Sequence, residues 1–353
     1  MTSYERIKNM VEGKPIDRIG VAAWYHMPLL DHNVTDFTNG ILNSVRIMHW
    51  DVAKLQYHSQ FMQAAFGQEY VASTSATELM GPITKYAIFH PHDFTELKVP
   101  SMEYPTIKRQ LEITKRVQDE LGGKVPVLAT VFSPMYLAKD MYMGRVGREP
   151  LQKALMYNAE EVHKGLEVLT ETVMKFMEEL QKIGVDGIFY ADQFASYDDL
   201  DREYYKEFSA KYDLPILEMT KNSCMWFNML HVHGYKNLRF DQYEELGYPV
   251  QAYNWEDRFG DATHTPMSLK SVRKMTDKIL MGGLEFWHDF NSETNDREAV
   301  KALIKERFVD SLEQLGPDDQ KFIFTPGCSV KMHVPEYRMQ LMYEVVKEVT
   351  GVE

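Results

Sequence analysis

The sequence predicts an α/β protein folded as a (β/α)₈ TIM barrel, because short apolar runs alternate with helical patterns over a length that suits a barrel. Runs of this kind, bounded by polar residues, are typical of buried strands. Alternation of strands and helices predicts a parallel sheet with right-handed crossovers. The eight candidate strands are 19–24, 52–57, 126–131, 187–191, 229–232, 250–253, 284–287 and 322–324. We therefore expect residues 1–353 to form a single barrel domain.

Helical patterns are clearest in the second half of the chain. Apolar residues recur at helical spacing over 151–183, 268–281 and 297–315, and each segment is followed directly by glycine. Glycine is frequent just past the last turn of a helix. We therefore predict three helices with these bounds, the second of them ending before Gly282 and Gly283.

Composition argues against several kinds of partner. The formal net charge is −13 and the isoelectric point is about 5.4, which disfavours nucleic acid and anionic membranes. No run of 18 apolar residues predicts a membrane-spanning helix, and the amino terminus lacks the pattern of a signal peptide. Two cysteines cannot build a disulfide framework, so we expect a cytoplasmic protein.

A His-x-His pair, His231 and His233, stands at the end of an apolar run, and Cys328 follows the last candidate strand. Side chains two residues apart on a strand point to the same side. Two imidazoles and one thiolate would make a three-ligand zinc site with an open fourth position, as catalytic zinc requires. On spacing alone, packed histidines and a small buried cysteine remain an alternative.

Residues able to bind ligands recur where the predicted strands end. A barrel gathers function at the carboxyl ends of its strands, so this placement favours the metal-site interpretation. The residues concerned are His26, His58, Asp192, Gln193, His231, His233, Asn254, Glu256, His288, Asp289 and Cys328.

The chain resembles the uroporphyrinogen decarboxylase superfamily nearly from end to end. The segments that carry the resemblance are Gly13-Lys-Pro-Ile-Asp-Arg-Ile-Gly-Val-Ala-Ala-Trp24, Ala64-Ala-Phe-Gly67, Gly184-Val-Asp-Gly-Ile-Phe-Tyr-Ala-Asp-Gln193 and Pro326-Gly-Cys-Ser-Val330. This resemblance implies a barrel with an N-terminal helical extension. It does not settle the reaction, because several chemistries share the scaffold.

Three departures set the chain apart from the decarboxylases proper. Those enzymes carry arginine after the first strand, and here the segment reads Trp24-Tyr-His-Met-Pro28. Their key aspartate after the second strand corresponds to His58, and their histidine after the last strand corresponds to Cys328. An acidic barrel without clustered arginine would repel a polycarboxylate, so a metal-free lyase of this type is the less favoured alternative.

The chain is more similar to the zinc-dependent methyltransferases of the superfamily, which work with a corrinoid (cobalamin) carried by a partner protein. Their thiol-methylating members bind zinc through a His-x-Cys pair after the fifth strand and a cysteine after the eighth. Here His231 and His233 form the pair, and Cys328 matches the last ligand. The resemblance implies Glu256 as a further ligand, with Asn254 or water as alternatives.

The change from thiolate to imidazole at His233 affects the charge of the site. One thiolate and two neutral imidazoles leave zinc with about one positive charge, which favours polarisation of an oxygen. We therefore predict methyl transfer from a methoxylated aromatic compound to the cobalt of the corrinoid protein, the first step of O-demethylation. A methylcobamide:thiol methyltransferase and a non-enzymatic binding protein remain alternatives. The small-molecule methyl donor or acceptor is not identified, and the oligomeric state is open, with a homodimer compatible with the relatives.

Five residues are predicted to bind the substrate. Trp24, His26 and Met27 would form an aromatic-accepting wall, and His58 and Gln193 would offer polar contacts. Packing at the barrel mouth is the alternative for the first three.

Three residues are predicted to assist catalysis. Asp192 would accept a hydrogen bond from the second nitrogen of a ligating histidine, and His288 with Asp289 would supply a proton to the departing oxygen. A helix cap is the alternative for Asp192, and a structural role is the alternative for the other two.

Overall fold

Parallel strands form the central sheet of the protein in the computed structural model, which describes residues 1–142, 149–258 and 265–352. The ten strands in chain order are β1 (Gly20–Val21), β2 (Ala53–Leu55), β3 (Glu69–Tyr70), β4 (Ile83–Lys85), β5 (Val127–Phe132), β6 (Gly187–Asp192), β7 (Met229–Val232), β8 (Ala252–Asn254), β9 (Ile279–Leu284) and β10 (Phe322–Pro326). Eight of them form one sheet in the order β1-β10-β9-β8-β7-β6-β5-β2, and every pair is parallel. The curled sheet confirms the predicted barrel fold.

Helices surround this sheet. They are α1 (Ser3–Glu12), α2 (Val34–Ile47), α3 (Pro105–Leu121), α4 (Pro134–Met141), α5 (Glu149–Tyr157), α6 (Ala159–Ile183), α7 (Arg202–Tyr205), α8 (Lys211–Glu218), α9 (Phe240–Leu246), α10 (Leu269–Arg273), α11 (Arg297–Leu315) and α12 (Glu336–Thr350). The apolar core fills the sheet interior and the layer between sheet and helices. Across the described ranges, no helix is both long enough and apolar enough to cross a bilayer.

The two strands at the ends of the hydrogen-bonded order, β1 and β2, are linked through Asp51. Its backbone N–H donates to the carbonyl of Val21 at 2.6 Å, and its carboxylate accepts from the Val21 N–H at 2.8 Å. The same carboxylate forms buried ion pairs with Arg6 of α1 and with Arg18. The N-terminal helix is thereby tied to the strand ends farthest from the candidate site.

Two of the three predicted helices follow the sequence pattern. Helix α11 has the predicted bounds. The predicted helix over 151–183 divides into α5 and α6 at Asn158, whose backbone leaves the helical conformation. The pattern of apolar positions had continued through this break.

The prediction was wrong over 268–287. Helix α10 ends at Arg273, and strand β9 starts at Ile279, where a helix was expected. The predicted strand 284–287 instead runs into a π-helical turn at Phe286–Phe290. Gly282 and Gly283 lie inside β9, where the side chain of Asp257 packs so closely that glycine is required. A Cβ on Gly282 would lie 2.5 Å from Asp257 Oδ1, and the Gly283 N–H donates to that oxygen at 2.8 Å.

Candidate metal centre

His231, His233 and Cys328 come together at the carboxyl ends of β7 and β10. One ligand atom from each lies within 4.8 Å of the other two, and His231 Nε2 is 3.8 Å from Cys328 Sγ. The two strands that carry them are far apart in sequence, and parallel pairing brings their ends to one rim of the sheet. This set of two nitrogens and one sulfur matches the ligand types that bind zinc in proteins.

Backbone contacts hold the segments that carry these side chains. The N–H of His233 donates to the carbonyl of Asp192 at 3.0 Å, which fixes the residue just past the end of β7. The glycine before Cys328 lies against the chain after β8. A Cβ on Gly327 would come 2.5 Å from the carbonyl oxygen of Trp255, so the close approach requires glycine.

Asn254 orients the ring of His231. The amide nitrogen of Asn254 donates to the carbonyls of Met281, at 3.0 Å, and Pro326, at 3.1 Å, so its oxygen is left to accept. That oxygen lies 2.7 Å from His231 Nδ1, which must therefore carry the hydrogen. The lone pair of His231 is then on Nε2, which faces Cys328. A ligating histidine in a metal site is held in the same way.

Burial sets the protonation of two members of the set. It lowers the pKa of His231 well below its usual value, so the ring is neutral near pH 7. Burial, with a smaller contribution from Glu256, raises the pKa of Cys328 to about 12. The thiol is therefore protonated in the metal-free protein, and a bound cation would displace its proton.

Glu256 lies close to this set without joining it. Its carboxylate is not among the ligand atoms that lie within 4.8 Å of one another, although it acts electrostatically on Cys328. Burial, and then repulsion from Glu285, raises the pKa of Glu256. Its role as a fourth ligand stays a prediction. Asn254, the alternative, faces His231 instead.

The metal-ligand candidates line a cavity of about 150 Å³ that we call the central pocket. Its apolar wall is aromatic. Phe132 and Tyr136 stack with ring centroids 4.4 Å apart, and Phe189 stacks on His231 at 5.0 Å. The pocket is lined by His26, Lys54, Gln56, Ser59, Leu79, Thr130, Phe132, Tyr136, Phe189, Ala191, Gln193, His231, His233, Cys328 and Ser329.

The predicted substrate-binding residues separate into two groups. His26 and Gln193 line the central pocket, where His26 Nε2 lies 3.0 Å from Gln56 Nε2. Trp24 and Met27 do not line it and border a small separate cavity. The aromatic wall is therefore built by β5, α4 and β6 rather than by the segment after β1, which packs into the core.

His58, the fifth predicted substrate-binding residue, lies in a different cluster that we call the second histidine cluster. It consists of Asp31, His32 and His58, whose ligand atoms also lie within 4.8 Å of one another. Tyr70 stacks on His58 with ring centroids 4.6 Å apart. Because His58 faces these residues, it does not line the central pocket.

Asp192 has other partners than the predicted histidine nitrogen. Its carboxylate accepts from the N–H of Phe194 and from the hydroxyls of Tyr205 and Tyr243, all at 2.7 Å. Asn254 instead accepts from the ring of His231. The carboxylate of Asp192 thus belongs to a buried tyrosine network, while its backbone carbonyl holds His233.

The predicted proton donors also lie outside the central pocket. The side chain of His288 is 56% exposed and bonds to Glu285 within the same π-helical turn. Asp289 is fully buried, and it accepts from Arg307 Nε and from the backbone of Glu285, both at 2.9 Å. These contacts fix the turn after β9, and neither residue reaches the metal-ligand candidates.

Two functional candidates were missed in the sequence. The sequence predicted Asn254 only as an alternative zinc ligand, and it assigned no role to Lys54. A visible signal for the second was a lysine in the middle of an apolar strand, two residues before Gln56, so that both side chains point into the barrel. Lys54 is fully buried, and burial lowers its pKa well below the usual value, an effect that Cys328 opposes.

Comparisons with known proteins agree with this fold. The family model for uroporphyrinogen decarboxylase (URO-D) matches residues 2–349. A uroporphyrinogen decarboxylase of Cellvibrio japonicus is 27% identical over 46% of this chain and 49% of its own, so the match spans about half of that relative. The methylcobamide:CoM methyltransferase MtaA of Methanosarcina barkeri is 21% identical over 74% of this chain and 77% of its own.

A solved structure shares the whole architecture. A methyltransferase from Methanosarcina mazei superposes with a TM-score of 0.76 at 18% identity, covering 99% of each chain. At that identity the likeness concerns the fold. The family match over nearly the entire sequence is the stronger finding, and by it the chain belongs to the uroporphyrinogen decarboxylase family.

Proposed function

We propose that this protein is a zinc-dependent methyltransferase that moves a methyl group from a methoxylated aromatic compound to the cobalt of a partner corrinoid protein. The observation that carries the proposal is the orientation of His231. Asn254 fixes its hydrogen on Nδ1 and turns the free nitrogen towards Cys328 and His233. Similarity to a methylcobamide:CoM methyltransferase over 74% of the chain supports the reaction class.

His231, His233 and Cys328 would hold the zinc, with Glu256 as a further candidate. When bound, zinc supplies a Lewis acid that stabilises negative charge on an oxygen. Two imidazoles and one thiolate leave this ability stronger than two thiolates would. Residues 1–353 would act as one domain, which the family match over residues 2–349 supports.

The aromatic wall of the central pocket would hold the ring of the substrate. Phe132 and Tyr136 offer a flat apolar surface, and Gln193 and His26 offer polar contacts to ring substituents. In the reaction the bond between oxygen and methyl carbon breaks, and its electron pair stays on the oxygen. The methyl group would pass to the corrinoid of the partner protein, whose cobalt(I) would supply the nucleophile.

A methylcobamide:thiol methyltransferase is the second candidate, because the similar Methanosarcina barkeri protein carries out that reaction by name. A metal-free decarboxylase is less well supported. The central pocket measures about 150 Å³, below the range of about 300 to 1,000 Å³ for drug-sized ligands, whereas a tetrapyrrole is larger still.

Zinc content tests the proposal most directly. We expect about one zinc per wild-type chain by elemental analysis, and near-complete loss in His233→Ala and in Cys328→Ser. The loaded protein should then methylate cobalt(I) cobalamin from a methoxylated benzene, as followed by the absorbance of the corrinoid. Wild type that holds no zinc after incubation with excess zinc would refute the proposal. Methyl transfer only from methylcobalamin to a thiol, and not from a methoxylated benzene, would select the second candidate.

A further inference from the structure

Lys54 presents a buried amino group to the central pocket. It lies in the middle of β2, and its side chain is fully enclosed. Its Nζ sits over the ring of Phe189, 3.9 Å from the centroid, and donates to Gln56 Oε1. The pocket therefore holds a buried amino group beside the aromatic surface that would hold the substrate ring.

Among the described residues this amino group has no carboxylate partner, and burial lowers its pKa and so favours its neutral form. The contacts found for it are one amide oxygen and two aromatic faces, those of Phe189 and Trp24. Enclosing a charge without an opposite charge is destabilising, although an aromatic face offsets part of the cost. A negatively charged oxygen in the pocket would complete the pairing.

The direction of the amino group is fixed by its neighbours. Gln56 Oε1 accepts from Lys54 and from Ser329 Oγ at 3.2 Å, and Gln56 Nε2 contacts His26. Ser329 follows Cys328 directly, so this polar row runs from β2 to the metal-ligand candidates. Because Gln56 is fixed by Ser329 and His26, it holds the Lys54 amino group in one position, as a preorganised binding site requires.

The same end of the pocket holds the metal-ligand candidates. Lys54 acts electrostatically on both Cys328 and His231. Because Lys54, His231 and Cys328 line the same pocket, we expect an oxygen bound at the metal to lie within reach of the amino group. A carboxylate on the far side of an aromatic ring would lie away from it.

We propose that Lys54 binds the oxygen from which the methyl group departs, and that its amino group pairs with the phenolate left when an aryl methyl ether loses its methyl group. This inference rests on the proposed function. A phenolate oxygen pairs with the ammonium of Lys54 when the oxygen–methyl bond is broken. An alkyl ether would gain less, because its alkoxide is far more basic and leaves less readily.

Binding of 4-nitrophenol to the zinc-loaded protein tests the inference without turnover, because its absorbance separates phenol from phenolate. Wild type should bind the phenolate form. Lys54→Met, which keeps the length and removes the charge, should weaken this binding by roughly tenfold or more, and Lys54→Arg should restore part of it. Lys139 does not line the pocket, although its amino group bonds to Gln193 and lies over the ring of Tyr136. Lys139→Met removes this charge and should change binding less than Lys54→Met does.

Zinc content and thermal unfolding are measured for every variant, so that a folding defect is not mistaken for lost binding. Zinc-loaded Lys54→Met that binds 4-nitrophenol as tightly as wild type would overturn the inference and leave the proposed function standing. Binding of benzoate with the same dependence on Lys54 would also overturn it, because the group would then recognise a carboxylate. Wild type without zinc would overturn both.

Discussion

Two clusters of histidine with similar ligand types differ in what faces the second ring nitrogen. At the candidate metal centre, Asn254 presents an oxygen to His231 Nδ1 at 2.7 Å, which leaves Nε2 free to bind a cation. In the second histidine cluster, the backbone N–H of Gln60 donates to His58 Nδ1 at 3.2 Å. The hydrogen of the neutral ring of His58 must then be on Nε2, which has no hydrogen-bond partner among the described residues.

His32 repeats this arrangement. Arg109 Nη1 lies 3.4 Å from His32 Nδ1, and arginine can only donate, so Nε2 again carries the hydrogen. Asp31 Oδ1 lies 3.4 Å from His32 Nε2, but the two atoms do not form a hydrogen bond. The different hydrogen bonding of the two clusters shows that proximity of ligand atoms does not by itself define a metal site. Hydrogen-bond partners outside the ligand set decide whether a ring nitrogen can bind metal.

The largest expected effect separates the two clusters. His231→Ala should reduce bound zinc from about one per chain to near zero, because it removes a primary ligand. His58→Ala should leave the zinc content unchanged. Elemental analysis of both variants, with circular dichroism to check folding, makes the comparison. Loss of zinc in His58→Ala alone would reverse the assignment of the two clusters.

Asn254→Leu sharpens the same comparison. It keeps the approximate volume of the side chain and removes the acceptor for His231 Nδ1, so zinc affinity should fall by about 10- to 100-fold. Competition with a chromophoric chelator measures the affinity. An unchanged affinity would show that the second nitrogen of His231 does not control binding.

Asp31→Asn tests the second cluster through stability. Burial, opposed by Arg109, raises the pKa of Asp31 to about 7, against about 3.9 in an unfolded chain. Between these values the folded protein binds the extra proton, so this residue makes stability fall as pH rises from about 4 to about 7.

The asparagine variant should lack that dependence. It should exceed wild type at pH of about 8 by on the order of 4 kcal/mol in the free energy of unfolding. Denaturant titrations at two pH values measure it. A destabilised variant that also loses metal would indicate that Asp31 is a ligand.

The last prediction concerns protons released on zinc binding. Burial and Glu256 raise the pKa of the Cys328 thiol to about 12, so this group must lose its proton, whereas neutral His231 need not. From about pH 6 to about pH 8, zinc affinity should therefore rise about tenfold per pH unit. Calorimetry in buffers of different ionisation enthalpy counts the protons. Binding without proton release would exclude thiolate ligation.

Much of the fold could be predicted because apolar runs record which segments are buried. All eight barrel strands overlap the predicted runs, although β9 shares only Leu284 with its run, and α11 has its predicted bounds. The failure over 268–287 has a local cause. The periodicity there was helical, but the segment fills the gap between β8 and β10 as a strand, and Asp257 needs glycine beside it.

The site could be predicted only in part. The shared side of His231 and His233 follows from strand geometry, and the position of Cys328 follows from the barrel. The roles expected of Asp192, His288 and Asp289 depended on where each carboxylate or ring points. Their side chains instead bond to residues on helices and turns outside the pocket. The spacing of residues in the sequence does not reveal such contacts.

What the sequence determined by itself is the alternation of strands and helices and the chemistry available at the strand ends, because both depend on local periodicity and residue type. Only the tertiary structure decided which of those residues converge. It placed Asn254 behind His231 and Lys54 beneath the aromatic wall, and it separated His58 from the pocket. These outcomes depend on hydrogen bonds between segments as far apart as β2 and β10, and contacts at that range leave no periodic trace in the chain.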